Sequence, residues 1–237
     1  MARTIIMGAG IAGHTAALHL RRMLPKHHDV VVVAPNAKWN WIPSNIWVGV
    51  GQMSTKQVTF PLAPIYARKG IEFHQALAVE LHGEGSPDLP RPHITVQYTD
   101  PARNGQTARL EYDYLINATG PKLNFGATPG LGPDGNSWSV CTAGHAEQTA
   151  AALADAITKL KAGERQTFLI GMGHGTCTCQ GAAFEYTFNV EDQLAKEGVR
   201  DRAEVIYITN EAHLGDFGMD GMNFSTKAGV VPSQMFT

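Results

Sequence analysis

Hydrophobic positions in the first 34 residues fall into two apolar runs with an amphipathic stretch between them. Residues 4–7 form the first run and lead directly into glycines, while residues 15–23 have helical spacing and are rich in alanine and leucine. Residues 29–34 include four consecutive valines, which is typical of a parallel strand buried on both faces. The order of strand, glycine turn, helix and strand therefore predicts a β-α-β unit at the start of the chain.

The same succession of elements returns in the second half of the chain. The predicted elements there are a helix at 145–161, a strand at 166–170, a glycine-rich turn at 171–175, a helix at 180–196 and a strand at 204–209. The repeat predicts an α/β fold with two Rossmann-like, doubly wound nucleotide-binding units, the second of them incomplete. We expect an FAD-binding domain at residues 1–140 and the start of a second, NAD-type domain at residues 141–237.

The segment between the two repeats has a different pattern. Residues 38–66 are rich in Trp, Pro, Asn and Gly and predict a long structured loop with one short helix. Further strands are predicted at 70–79, 93–99 and 112–117, and the connection that covers most of 83–109 is rich in Pro, Gly and Asp. The Gly- and Met-rich end of the chain contains no clear element.

Composition narrows the class of protein. Hydrophobic residues make up 43% of the 237 residues and charged residues 17%, an ordinary globular balance. The net charge is −2 and no basic run occurs, so we do not expect a nucleic-acid partner. The start of the chain lacks the pattern of a secretory signal, and no apolar run reaches the roughly 18 residues that a membrane helix needs. A cytoplasmic protein is predicted, with peripheral membrane attachment left open.

The first glycine motif is Gly8, Gly10 and Gly13 in the pattern G-x-G-x-x-G, directly after a strand and before a helix. In a dinucleotide fold the first glycine allows a tight turn, the second lets the backbone approach a pyrophosphate, and the third lets the helix pack on the strand. The position predicts a nucleotide site, with a ligand-free glycine turn as the alternative. The second strand ends in Ala34, Pro35 and Asn36, without the acidic residue that usually binds the ribose, and this weakens an NAD assignment more than an FAD assignment.

Four blocks of sequence resemble one family. They are Ile42-Pro-Ser-Asn-Ile-Trp-Val-Gly-Val-Gly51, Tyr114-Leu-Ile-Asn-Ala-Thr-Gly-Pro-Lys122, Val140-Cys-Thr-Ala-Gly-His-Ala-Glu147 and Cys179-Gln-Gly-Ala-Ala-Phe-Glu-Tyr186. In order and near-spacing they resemble the sulfide:quinone oxidoreductases, which are disulfide-reductase-like flavoproteins related to flavocytochrome c sulfide dehydrogenase and type II NADH dehydrogenases. The likeness covers nearly the whole chain.

The resemblance implies an FAD site. It places the pyrophosphate at Gly8, Gly10, Ile11, Ala12 and Gly13, the adenosine near Ala34, Pro35, Asn36 and Ala78, the flavin ring near Pro43, Ser44 and Asn45, and a turn against the cofactor at Ala118, Thr119 and Gly120. Pro43 and Asn45 as plain turn residues, and Ala118 to Gly120 as a simple strand end, are the alternatives.

The three cysteines are too few for a disulfide framework and leave core filling, metal binding or redox chemistry. By the resemblance, Cys141 matches the family's first redox cysteine, which in some relatives is linked to the flavin, and Cys179 matches a second, six residues before Glu185. Cys177 is an extra residue in the same turn and an alternative to Cys179. That turn opens a helix, whose positive end stabilises a thiolate.

These residues also have alternative roles. Glu185 is either a base that takes protons from sulfide or thiol, or an ordinary surface or capping carboxylate. Cys177, Cys179 and His174 suggest zinc, but a second ligand pair is missing and no metal is expected. The same residues occupy the second glycine turn, which disfavours NADH as the electron donor.

The resemblance implies an enzyme that oxidises sulfide to sulfane sulfur or polysulfide and passes two electrons through FAD to a quinone. Family members are about twice as long as this chain. The implied small-molecule partners are sulfide and a quinone. The other implied partners are the membrane surface, reached through a carboxy-terminal part that is absent here, the missing carboxy-terminal half or a second chain in its place, and a second copy in a homo-oligomer. A fragment, one part of a split protein and a naturally short relative are the alternatives for the chain. The alternative functions are the flavoprotein subunit of a sulfide dehydrogenase, a type II NADH dehydrogenase and a non-catalytic flavin-binding relative.

Overall fold

The computed structural model describes residues 1–173, 180–209, 223–227 and 229–232. The chain forms two compact units, the first from Met1–Trp41 and Thr59–Leu123, the second from Ile42–Val58 and Asn124–Thr237. The division differs from the predicted one at residue 140. The chain enters the second unit at Asn124 and has already visited it once between Ile42 and Val58.

The elements follow one another in a mixed α/β order. They are β1 (Arg3–Met7), α1 (Ile11–Met23), β2 (Asp29–Ala34), β3 (Lys38–Asn40), α2 (Asn45–Gly49), α3 (Thr55–Val58), β4 (Thr59–Pro61), α4 (Ala63–Lys69), β5 (Glu72–His82), β6 (His93–Tyr98), β7 (Thr107–Glu111), β8 (Tyr114–Asn117), α5 (Ala143–Lys161), β9 (Gln166–Gly171), α6 (Gln180–Lys196), β10 (Ala203–Ile208), β11 (Asn223–Thr226) and β12 (Gly229–Pro232).

The first unit is built on a six-stranded sheet in the order β7-β6-β5-β2-β1-β8. Strands β5, β2, β1 and β8 run parallel, and β6 and β7 extend the sheet in antiparallel fashion. Successive valines of β2 point to opposite faces, so that Val31 packs with Ile5 on one face and Val32 with Ile6 on the other. Both faces of the parallel part are therefore buried, as the run of valines predicts.

The second unit contains the predicted β9-α6-β10 succession, with β9 and β10 paired in parallel. Leu153 and Leu160 of α5 pack with Val190 and Leu194 of α6 in its largest core cluster, and Val50 joins them just after α2. The two strands turn one face to this cluster. The other face exposes apolar side chains, namely those of Leu169, Ile206 and Ile208.

Several elements differ from the sequence predictions. Helix α1 begins at Ile11, four residues before the predicted start at Thr15, and β7 lies in the stretch predicted as a connection. The antiparallel pair β11–β12 lies where no element was predicted. Helix α6, by contrast, has the predicted bounds. Among the helices in the described ranges, none is both long and apolar enough to cross a membrane.

Candidate functional site

The first glycine turn has an open position between two closely packed ones. Gly8 has φ +103°, and a Cβ built there would overlap the carbonyl group of Ala118. A Cβ on Gly13 would overlap the carbonyl oxygen of Gly8, whereas a Cβ on Gly10 meets no atom of the described residues within 4 Å. The turn is thus closed where strand and helix must approach and open where a ligand would approach the backbone.

The start of α1 faces this open position. Gly10 is the N-cap residue and provides no side-chain hydrogen bond, and the first turn of the helix holds no acidic residue. The N–H groups of Ile11, Ala12 and Gly13 lie in the first helical turn, where no carbonyl of the same helix can accept them. These donors and the helix dipole suit an anion, so the geometry fits the pyrophosphate of a dinucleotide.

The residues expected near the adenosine lie at the carboxyl ends of two neighbouring strands. Ala34 is buried at the end of β2, while Pro35 and Asn36 are exposed. The hydroxyl group of Thr99 donates to the carbonyl oxygen of Pro35 at 2.7 Å, and the Thr99 N–H donates to the carbonyl of Gln75 in β5 at 3.0 Å. The loop after β2 is thereby tied to β5, which continues to the half-buried Ala78.

The turn after β8 lies at the same edge of the sheet. The Ala118 N–H donates to the carbonyl oxygen of Met7 at 2.8 Å, beside the glycine turn. Asn117 Oδ1 accepts from the N–H and the hydroxyl of Thr119 at 3.2 and 2.9 Å, and Gly120 has φ +69°. Ala118 therefore packs against the glycine turn, and the next two residues, Thr119 and Gly120, are exposed.

A histidine–tyrosine pair connects α1 to α4. His14, in the turn of α1 that follows the glycines, has its Nδ1 atom 2.9 Å from the hydroxyl oxygen of Tyr66. Burial raises the pKa of Tyr66 to about 12 and lowers the pKa of His14, so at neutral pH the hydrogen bond joins a neutral phenol and a neutral imidazole, with the donor set by the imidazole tautomer. The rings of Trp39 and Phe60 pack on His14 at centroid distances of 5.9 and 5.7 Å. Neither residue belongs to a motif that marks it in the sequence.

The residues expected near the flavin ring belong to the second unit. Pro43 and Ser44 lie in a single turn of 3-10 helix, Ile42–Ser44, and Pro43 is exposed. Asn45 opens α2 and its side chain is completely buried. Of the three residues, Pro43 is exposed, Ser44 half-buried and Asn45 buried, and their contact with the flavin stays a prediction.

Cys141 is exposed and lies just before α5. Its N–H donates to the hydroxyl oxygen of Ser139 at 3.1 Å. The next residue, Thr142, is the N-cap of α5 and its hydroxyl accepts from the N–H of His145 at 3.1 Å. The His145 Nδ1 atom is buried without a hydrogen-bond partner in the described part of the chain. The four-residue spacing between Cys141 and His145 is the signal that could have singled out this histidine.

The remaining predicted site residues are only partly described. Cys177, Cys179 and His174 lie outside the described residues. Glu185 lies on α6 and is exposed. The distance between Glu185 and either cysteine of the turn is therefore not defined by the described residues. The cooperation of Glu185 with Cys179 or Cys177 stays a prediction.

The second glycine turn differs from the first at its middle glycine. Gly173, the counterpart of Gly10, has φ +72°, and a Cβ built there would lie 2.9 Å from the side chain of Leu131. The hydroxyl group of Thr128 also donates to the carbonyl oxygen of Gly173 at 2.9 Å. Protein atoms thus occupy the space beside this glycine that is open in the first turn.

Comparison with known proteins gives a consistent result. Sulfide-quinone reductase from Aquifex aeolicus is 30% identical over 223 residues, which are 94% of this chain and 46% of the relative. The crystal structure of the sulfide:quinone oxidoreductase from the same bacterium superposes with a TM-score of 0.78 at 28% identity, again over 94% of this chain and 46% of that one. This chain resembles the sulfide:quinone oxidoreductases.

The resemblance to the sulfide:quinone oxidoreductases that the motifs indicate is thereby confirmed. The chain spans about half the length of these relatives. NDH2 from Plasmodium falciparum in complex with NADH matches with a TM-score of 0.63 at 20% identity, over 90% of this chain and 42% of that one, and supports the fold. The predicted α/β fold of the FAD/NAD-linked reductase type is confirmed. No protein-family profile matches the chain.

Proposed function

We propose that this chain is the FAD-binding and sulfide-oxidising part of a sulfide:quinone oxidoreductase. The observation that carries the proposal is the glycine turn, which is closed at Gly8 and Gly13 and open at Gly10. It supports a dinucleotide at the start of α1, and the likeness to the Aquifex enzyme over 94% of the chain favours FAD and sulfide as cofactor and substrate.

In this proposal the chain binds FAD through main-chain groups. The N–H groups of Ile11, Ala12 and Gly13 bind the pyrophosphate, and Asn36 supplies a polar side chain for the ribose in place of the usual carboxylate. Ala78, Ala118, Thr119 and Gly120 border the cofactor, and Pro43, Ser44 and Asn45 stay predicted flavin contacts on the resemblance alone. Held by these residues, FAD would supply the acceptor for the two electrons of sulfur and would allow their transfer to a quinone.

The sulfur chemistry belongs to the cysteines. Hydrosulfide would lose two electrons, to bound FAD, and one proton as its sulfur becomes the outer sulfur of a persulfide on a cysteine thiolate, and each further sulfide that extends the chain would lose two more electrons and a proton in the same way. Cys141 is exposed and therefore accessible to sulfide. Cys179, or Cys177 in its place, is the proposed second redox residue, and Glu185 is proposed to accept the proton.

The second glycine turn supports sulfide over NADH as the electron donor. A dinucleotide needs free backbone at the middle glycine, and the space at Gly173 holds the side chain of Leu131. A type II NADH dehydrogenase is disfavoured for this reason. Two alternatives remain, the flavoprotein subunit of a sulfide dehydrogenase and a non-catalytic flavin-binding relative. On the resemblance, we propose three partners, namely a quinone, the cytoplasmic side of a membrane and a carboxy-terminal half.

An anaerobic titration tests the proposal. The purified protein is titrated with sulfide and, separately, with NADH while the flavin absorbance is recorded, and a denatured sample shows whether flavin stays with the polypeptide. We expect bleaching by sulfide and none by NADH. Cys141→Ala and Cys179→Ala should abolish the bleaching, and Cys177→Ala, the matched change in the same turn, should not.

Each other outcome selects an alternative. Bound flavin that ignores sulfide indicates the non-catalytic relative, and bleaching by NADH indicates the dehydrogenase. Protein that binds no added FAD overturns the cofactor assignment. Loss of bleaching in Cys177→Ala instead of Cys179→Ala exchanges the two cysteines and leaves the rest of the proposal in place.

A further inference from the structure

Gly49, at the end of α2, is in close contact with two other segments of the second unit. A Cβ built on Gly49 would lie 2.7 Å from Val140 Cγ1 and 3.0 Å from the ring of Tyr186. The first of these distances is shorter than real side-chain contacts allow, so only glycine lets the three segments meet as they do. Gly49 has no positive φ, and the requirement is one of space alone.

The hydroxyl group of Tyr186 holds the same contact from the side of α6. It donates to the carbonyl oxygen of Gly49 at 3.0 Å, and burial raises the pKa of Tyr186, so the hydroxyl keeps its proton as a donor. A second link runs from Gln52, just after α2, to Asp192 and Gln193 of α6 at 3.3 and 3.2 Å. Helix α2 is therefore fixed on α6 at two points.

Val140 transmits this arrangement to Cys141. The Val140 side chain packs with Val48, Val58 and Ala146, and the exposed Cys141 is the next residue. The backbone on the other side of Val140 is also fixed, because the Thr149 hydroxyl donates to the carbonyl oxygen of Ser139 at 2.7 Å. Cys141 is joined to Val140 by a peptide bond, so a displacement of the Val140 main chain strains or moves Cys141, whose N–H is bonded to Ser139.

We infer that Gly49 and Tyr186 are positioning residues for Cys141, acting through Val140. The inference deepens the proposed function and rests on it for the meaning of Cys141, since the contact sets where the thiol meets its substrate. Neither residue touches a reacting atom in this account. A shift on the order of an ångström at a reacting group can cost about 10²-fold in rate, so close packing beside Cys141 has a functional consequence.

The test uses the whole chain with flavin bound and measures Cys141 directly. The rate of alkylation of each cysteine by iodoacetamide is followed by peptide mass spectrometry, and sulfide-driven bleaching is measured on the same preparations. Gly49→Ala displaces Val140 and should change the Cys141 alkylation rate at least about threefold and slow bleaching at least about fivefold. Adding Val140→Ala removes the Cγ1 atom in question and should bring both rates back to those of the Val140→Ala variant alone.

Two further variants complete the design. Tyr186→Phe keeps the ring and removes the hydroxyl, so it should alter Cys141 alkylation in the same direction by a smaller factor, and it carries the test if Gly49→Ala does not fold. Gly144→Ala is the matched control, since a Cβ on this glycine of α5 lies more than 4 Å from the other segments that the structure describes. It should leave the alkylation rate unchanged.

Unchanged Cys141 alkylation in a folded Gly49→Ala protein overturns the inference, as does a change that Val140→Ala fails to reverse. An unchanged Cys141 alkylation rate in Tyr186→Phe contradicts the positioning role of the Tyr186 hydroxyl group. The labelling needs no sulfide, so a wild-type protein that sulfide does not bleach contradicts the proposed function while the alkylation result still decides the positioning role.

Discussion

The glycines of the first turn show how one residue type serves two different purposes. At Gly8 and Gly13 the missing Cβ makes room for other parts of the protein, and at Gly10 it leaves room that no atom of the described residues fills. Substitutions at these positions should therefore separate folding from cofactor binding. The two effects are measured on the same protein with and without FAD.

Gly10→Ala should weaken FAD binding without unfolding the protein. The added methyl group enters open space, so the melting temperature of the flavin-free protein should stay close to wild type. The dissociation constant for FAD should rise at least about tenfold, because the pyrophosphate can no longer approach the backbone. Isothermal titration of the flavin-free protein measures it, and an unchanged constant contradicts the assignment of this turn.

Gly13→Ala should instead lower the free energy of unfolding. Its Cβ would overlap the Gly8 carbonyl, and overpacking of this kind costs about 1–3 kcal/mol. Urea denaturation of the flavin-free protein measures the loss. A Gly13→Ala protein as stable as wild type would show that α1 approaches β1 less closely than described.

Glu72 gives the first unit a pH-dependent contribution to stability. Its hydrogen bond with His74, at 2.6 Å, and the charge of Arg3 hold the pKa of Glu72 below its ordinary value. A carboxyl group with a lowered folded-state pKa stabilises the protein above its unfolded-state pKa, and this contribution is lost as the pH falls through the folded-state value. The relevant window lies below the ordinary value of 4.5.

Glu72→Gln should therefore flatten the acid side of the stability curve. Urea midpoints are compared at pH about 7 and about 3.5, and the variant should lose less stability between them than wild type. Glu84→Gln, a change at an exposed glutamate, is the control and should follow the wild-type curve. Identical curves for all three proteins would remove Glu72 as a source of the pH dependence.

At the scale of elements, the stability of α5 depends on the hydrogen bond between its N-cap residue, Thr142, and His145. The Thr142 hydroxyl accepts from the His145 N–H, and such N-caps contribute about 1 kcal/mol. Thr142→Ala should lower the free energy of unfolding by that amount, and Thr142→Ser should restore most of it. Thr158→Ala, a change within the same helix that removes a hydroxyl donating to the carbonyl of Ala154, should have little effect in the same denaturation experiment.

The elements also show what the amino-acid pattern could and could not predict. The run of valines predicted β2 and the helical periodicity predicted α6, because the burial of apolar side chains determines both patterns. Strand β7 is polar on alternate positions and belongs to the edge of the sheet, so its apolar signal is weak. The glycine motif was predicted from spacing, whereas the contact of Gly49 with Val140 joins residues far apart in the chain and leaves no local pattern.

At the scale of the whole molecule, the second unit has an uncovered apolar surface. Parallel strands are normally covered on both faces, and β9 and β10 expose Leu169, Ile206 and Ile208 on one of them. The double substitution Leu169→Ser and Ile206→Thr should reduce binding of a hydrophobic dye without lowering the melting temperature by more than a few degrees. Leu153→Ser, in the core of the same unit, is the contrasting change and should lower it strongly.

The early visit of the chain to the second unit has a consequence for biosynthesis. Val48 and Val50 pack against α5, and about a hundred residues separate them from Leu153. A ribosome adds about 5–20 residues per second, so the apolar side chains of α2 wait roughly 5–20 s for the helix that covers them. Over that interval the nascent chain exposes them to chaperones, and the emergence of α5 determines when α2 is protected.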